Sequence, residues 1–138
     1  MAKTDTLQTS IYFQSPIFHI EVPEFVKDVN KVCDRYIKSA KKNNEKIIKQ
    51  REKEWKKKVG DITMSHHSSS MIGDPDLKEF TDYIGSTSWN CLDWFGYDLS
   101  QYELMWTELW VQEFSKKGGG HHEGHVHYDN HISGFYFL

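Results

Sequence analysis

Five of the eight histidines fall between positions 121 and 131, with Glu123 and Asp129 among them. Imidazole nitrogens and carboxylate oxygens are donors that hold first-row divalent metals. Residues two apart on a β-strand face the same side. A strand through this stretch would therefore aim His125, His127 and Asp129 together. Two imidazoles and a carboxylate are the donor set of the facial triad, which holds ferrous iron and leaves positions open for substrate and oxygen. Zinc accepts the same donors. The three residues span about 13 Å of extended chain, so all three reach one ion only if the chain bends. The pairs His125/His127 and His127/Asp129 are simpler chelates. The competing reading is a set of solvated histidines beside the glycine turn Gly118-Gly119-Gly120. The local density of donors, the turn and a preceding strand favour a metal site, with His131 outside the ligand set.

The other histidines and the cysteines carry weaker signals. His66 and His67 are adjacent, and neighbours on an extended chain point apart, so the pair chelates poorly. The serine-rich stretch Asp61 to Ile72 around them reads as loop. His19 lies in Ile17-Phe18-His19-Ile20-Glu21-Val22, a strand pattern with Phe18, Ile20 and Val22 on one face and His19 on the outer one. Cys33 and Cys91 have no CxxC spacing and read as core fillers in a reducing, cytoplasmic setting.

Several elements must position the cluster. A short strand at Ile11-Tyr12-Phe13 precedes the Ile17–Val22 strand, and Pro23-Glu24 then opens a helix. Its apolar stripe is Phe25, Val26, Val29, Val32, Cys33, Tyr36 and Ile37. Beyond Ser39 the stripe thins to Ile47, Ile48 and Trp55, leaving a lysine-rich stretch that is either helix extension or mobile connection. Asp74-Pro75-Asp76 starts a second helix through Leu77, Phe80, Thr81 and Ile84. Gly85 and Ser86-Thr87-Ser88 are expected to interrupt it, with a further short helix from Trp89 to a stop at Gly96. Leu104 to Phe114 is apolar on both alternating sets and reads as a strand covered on both faces. After the glycine turn, His131 to Leu138 is β-rich, with Ile132, Gly134, Tyr136 and Leu138 on one face.

At 138 residues the chain is expected to be a single domain, 1–138. It has no run of about eighteen apolar residues to cross a membrane. Its net charge of -3 conceals an asymmetry. Lys27 to Lys58 holds 13 Lys/Arg against 5 Asp/Glu, whereas the rest holds 4 against 15. Such a block suits nucleic acid or an acidic partner. Aromatic interleaving is limited to Tyr36 and Trp55, so a solvated helix is preferred and nucleic acid is not the favoured partner.

The stretch Trp110-Val111-Gln112 … Gly118 … His125-Val126-His127 … Ser133-Gly134-Phe135-Tyr136 resembles the motif of a family of 2-oxoglutarate-Fe(II) oxygenases. That motif is a W-x-N-like strand, a glycine turn, H-x-H and then S-G-v-Y-Y. Gln112 replaces its asparagine and Phe137 its second tyrosine. The likeness extends over roughly residues 11 to 138. It implies an α+β chain, with N-terminal helices and part of a double-stranded β-helix (jelly roll). Iron would bind 2-oxoglutarate and oxygen, and the resulting oxidant would hydroxylate a substrate carbon. The motif carries over to His125 and His127 as metal ligands; Asp129 rests on the triad argument alone. Tyr136 is a candidate contact for the co-substrate, against the plainer role of a core tyrosine.

Such enzymes also use a later histidine and a basic residue for the far carboxylate of 2-oxoglutarate. The chain ends at Leu138 before either, so the expectation is an incomplete site. A homo-oligomer or a missing C-terminal segment would then cover the strand edges. A cupin is the alternative: Gly119, five residues, then His125-x-His127 fits the opening of the cupin metal motif, but its glutamate positions hold His131 and Ile132. A non-enzymatic interaction protein using the basic helix is the third reading.

Overall fold

The computed structural model describes residues 15–138, so the Ile11–Phe13 strand lies outside the described residues. A 3-10 turn at Pro23–Phe25 runs directly into helix α1, Val26–Trp55. Proline suits this first turn because its absent N–H would have no helical partner there. The apolar stripe turns inward, burying Val29, Val32, Cys33, Ile37 and Ala40. The lysine-rich half is helix as well, giving one rod about 45 Å long. It ends where Lys56 takes a left-handed conformation, φ 50°. Two side chains fasten its last turns to the segment that follows. Arg51 donates to the Ile62 carbonyl at 3.0 Å and the Thr63 hydroxyl at 2.9 Å. Glu52 accepts the Val59 and Gly60 N–H groups, both at 3.0 Å.

Asp74 caps the second helical segment, accepting the Asp76 N–H at 3.0 Å. Behind a 3-10 turn at Pro75–Leu77, helix α2 runs unbroken from Lys78 to Trp94. The expected break at Gly85 does not occur. Gly85 is buried, and a Cβ there would lie 3.4 Å from the Leu104 side chain, so the glycine admits a crossing segment. The Ser86 hydroxyl bonds back to the Asp82 carbonyl at 3.0 Å and is satisfied within the helix. Gly96 stops α2 as expected. At φ 84° its N–H reaches the Asp93 carbonyl and the Tyr97 N–H reaches that of Leu92, a Schellman closure.

The expected double-stranded β-helix is not what forms. The sheet among the described residues is one antiparallel pair, β1 (Ser65–His67) with β2 (Gln112–Phe114), in register His66 opposite Glu113. With two long helices this makes an α+β fold carrying very little sheet. β1 arises inside the stretch read as loop. The long strand expected over Leu104–Phe114 contracts to its last three residues, and Met105 is 80 % exposed. Ile17–Val22 and His131–Leu138 form no strand, since apolar alternation makes a strand only where a partner supplies the ladder. Irregular pairing extends the two-stranded sheet at both ends: Ser68 N–H to the Val111 carbonyl, Met71 to Leu109, and Ser115 to Met64.

The core lies between α1, the start of α2 and this two-stranded sheet. Val29, Val32, Cys33, Met71, Leu77 and Phe80 form it, bordered by Phe25, Tyr36, Ile84, Leu109, Val111 and Tyr136. Asp74 joins the two helices: its carboxylate accepts the Tyr36 hydroxyl at 2.9 Å and Arg35 at 2.8 Å. No helix among the described residues is long and apolar enough to cross a membrane.

Candidate functional site

The approach to the histidine cluster is set by glycines that let one backbone lie on another. Thr63 N–H bonds the Gly118 carbonyl at 2.9 Å. Gly119 sits at φ 79°, where a Cβ would come within 2.7 Å of the Thr63 side chain. At Gly120 a Cβ would meet the Met64 carbonyl at 2.8 Å and Phe114 at 2.9 Å. The chain thus returns tightly along the β1–β2 pair, and the Ser65 hydroxyl holds it by donating to the His121 carbonyl at 2.8 Å.

From there the segment bends instead of running as a strand, and three imidazoles meet in series. His122 Nε2 lies 3.4 Å from His125 Nε2, which lies 3.0 Å from His127 Nε2. His125 Nδ1 is 3.0 Å from the Glu123 carbonyl oxygen. A carbonyl only accepts, so Nδ1 carries the proton and the Nε2 lone pair faces His127. His127 Nδ1 faces Glu108 at 3.7 Å. Glu108 also accepts the Trp110 indole N–H at 3.4 Å. Trp110 stands between two rings, with His67 at 4.2 Å and His122 at 5.7 Å between centroids. His67, Glu108, Trp110, His122 and His125, with Ser68, Ser70, Thr107 and Leu109, line an open cleft of about 430 Å³, at whose edge His127 meets His125.

The donor set and its spacing fit a first-row divalent ion. Two cis ligands at a metal–nitrogen distance of about 2.1 Å stand roughly 3.0 Å apart on an octahedral ion, and roughly 3.4 Å apart on a tetrahedral one. The 3.0 Å His125–His127 separation is the octahedral value and equally that of an N–H···N hydrogen bond, while the 3.4 Å His122–His125 separation does not belong to the same octahedron. Without metal, the His127 Nε2–H donates to His125, and that proton is what an ion would displace. Nδ1 of His125 faces the Glu123 carbonyl and Nδ1 of His127 the Glu108 carboxylate, the arrangement that orients metal-binding imidazoles.

Among the described residues no group of three or more His, Cys, Asp or Glu side chains is set to hold one ion. His125 and His127 are brought together as expected. Asp129 lies in the next turn, exposed and left-handed at φ 61°, and is not drawn into a three-ligand group with them. Its neighbour Asn130 is tied to the cleft wall by the Thr107 hydroxyl at 2.6 Å. His131 meets Tyr97 edge-on. Tyr136 donates its hydroxyl to the Val22 carbonyl at 2.7 Å and packs on Phe80, so the main chain already engages it.

His122 and Glu108 were not singled out from the sequence, Trp110 entered only as part of the motif, and His67 only as half of a poor chelating pair. Period-two spacing excludes His122, because it assumes a strand where the chain bends. The three-residue interval between His122 and His125 was the available signal. His66 and His67 do point apart, but His66 is buried, contrary to the loop or surface expectation. It bonds Asn44 at 3.1 Å and Asp61 at 3.3 Å, and Asp61 also accepts the Ser115 hydroxyl. Burial pushes the Asp61 carboxyl upward, but these hydrogen bonds outweigh it and hold the group below its ordinary value. This knot fastens α1 to the β1–β2 pair.

Comparison with protein-family models, curated proteins and solved structures finds no match to this chain.

Proposed function

We propose that His125 and His127 are ligands of a mononuclear Fe(II) centre in a 2-oxoglutarate-dependent oxygenase, acting in the cytoplasm on a substrate carbon. One observation carries the reading: the paired Nε2 atoms stand at a cis-ligand distance of 3.0 Å, with the His125 proton held on the opposite nitrogen by Glu123. The H-x-H … S-G motif resemblance supports the choice of iron and 2-oxoglutarate. The carboxylate of the triad is Asp129 on the spacing argument alone, since its side chain stands apart from the pair here.

Bound iron would supply the oxygen activation, coupled to oxidation of 2-oxoglutarate, that such hydroxylation needs. The chain's own groups prepare the site. The Glu123 carbonyl sets the His125 tautomer. The Glu108 carboxylate, beside Nδ1 of His127, favours a strongly donating imidazole. Trp110, packed against His67 and His122, walls the cleft next to the pair.

Anaerobic titration with Fe(II), with and without 2-oxoglutarate, tests the proposal. A visible charge-transfer band requiring both, and lost in His125→Ala and His127→Ala, is expected. Comparison of Asp129→Ala with His122→Ala identifies the third ligand. Failure to bind stoichiometric iron, or iron binding that is indifferent to 2-oxoglutarate, would refute it.

A further inference from the structure

The continuity of α1 turns a basic block of sequence into a ridge. Residues on a helix repeat every 3.6 positions, which places Lys31, Arg35, Lys38, Lys42, Lys49 and Lys53 in one sector roughly 60° wide and about 33 Å long. All six are exposed. The sector lies opposite the buried Val29, Cys33 and Ala40, and no Asp or Glu of α1 falls within it. A merely solvated helix face gains by setting acid against base one turn apart. Asp28, Asp34, Glu45 and Glu52 do flank the sector one turn from Lys31, Lys38, Lys42 and Lys49, but within it the one-turn neighbours Lys31/Arg35, Lys38/Lys42 and Lys49/Lys53 are all basic and repel each other. Arg35 is engaged by Asp74 and Asp76, and Lys49 approaches Glu45 at 4.0 Å. The acid excess is elsewhere, 15 Asp/Glu against 4 Lys/Arg outside Lys27–Lys58. The charge is therefore segregated, and one-signed fields of this kind concentrate ligands of opposite charge.

We propose that this ridge docks on the phosphate backbone of duplex nucleic acid, without reading bases. A straight helix about 10–12 Å across matches a major groove about 12 Å wide. A single strand is a poorer fit, because strand binding uses aromatic stacking. The two aromatics of this region lie off the sector: Tyr36 is bonded to Asp74, and Trp55 lies beneath Arg51 at 4.8 Å. An anionic membrane is also a poorer fit, since the sector offers no apolar side chain to insert. The ridge is independent of the metal site.

Fluorescence anisotropy of the full chain with a labelled mixed-sequence duplex, across a salt series, is the test. Five cations on phosphates give a slope of log affinity against log salt near about -4.5, taking Arg35 as already engaged. Lys42→Gln/Lys49→Gln should weaken binding and reduce that slope by about 2. Lys42→Arg/Lys49→Arg should retain both, and Lys78→Gln on α2 should change neither. No binding at low salt, a slope that the glutamine pair leaves unchanged, tighter binding to the single strand, or binding only to phosphatidylserine vesicles would each overturn the proposal.

Discussion

Asp74 makes a sharp test of how the frame beneath the site is held. The side chain is 7 % exposed and serves three partners at once: the Asp76 N–H, the Tyr36 hydroxyl and the Arg35 guanidinium. Loss of an N-cap costs about 1 kcal/mol. Loss of a hydrogen bond to a charged acceptor costs roughly 1.5–3 kcal/mol. The Arg35 pair adds little, because the guanidinium is half exposed. Asp74→Ala should therefore destabilise the chain by about 3 kcal/mol. In urea, followed by tryptophan fluorescence, the midpoint should fall by roughly 1.5 M for a slope near 2 kcal/mol per M. Asp74→Asn keeps a capping oxygen but loses the charge, and should lie between alanine and the parent.

The same carboxylate predicts a pH dependence. Burial opposes its ionisation, but the bonds from Tyr36, the Asp76 N–H and Arg35 together hold its pKa below the ordinary aspartate value. A depressed carboxylate contributes stability that is present above its unfolded pKa, near about 4. That contribution is lost as pH falls through the lower folded value, and Asp74→Asn should abolish this part of the acid dependence. A midpoint for Asp74→Ala within about 0.5 M of the parent, or equal effects of alanine and asparagine, would refute the reasoning.

Gly120→Ala places a Cβ against the Met64 carbonyl and should cost about 1–3 kcal/mol while weakening metal binding, because the His122–His127 segment is lifted from the β1–β2 pair; calorimetric metal titration beside a urea melt reads both effects. Glu108→Gln should leave the fold intact but lower metal affinity about 10- to 100-fold, as removal of an imidazole's orienting partner does; an unchanged affinity would remove Glu108 from the site. Burial, assisted by Asp34, raises the Cys33 thiol above its ordinary pKa. A disulfide reagent at pH 8 should therefore label Cys91 in the native chain and Cys33 only after unfolding, and rapid native labelling of Cys33 would contradict its place in the core.

Local signals in the chain were enough for the elements whose cause is local. Pro23, the stripe from Phe25 to Ile37, the Asp74-Pro75-Asp76 cap and the Gly96 stop are each visible as residue types, because a helix terminus is satisfied by groups within a few positions of itself. The pairing of His125 with His127 was legible for a similar reason, since two residues two positions apart stay close in most conformations.

What needed the tertiary structure depends on distant partners. Gly85 reads as a breaker until Leu104 crosses it, and the apolar runs at Ile17–Val22 and His131–Leu138 read as strands although no ladder reaches them. β1 was hidden because serines and histidines give no apolar alternation, and only β2 makes it a strand. His122, Glu108 and Trp110 join the cleft because glycine contacts at positions 118 to 120 bend the chain back on the β1–β2 pair, which a period-two argument cannot foresee. The sequence by itself determined which donors are available, where the two helices begin and that Gly96 stops the second. Long-range packing decided which donors meet, because the direction of a side chain follows from its backbone, and that backbone is held by residues far away in the chain.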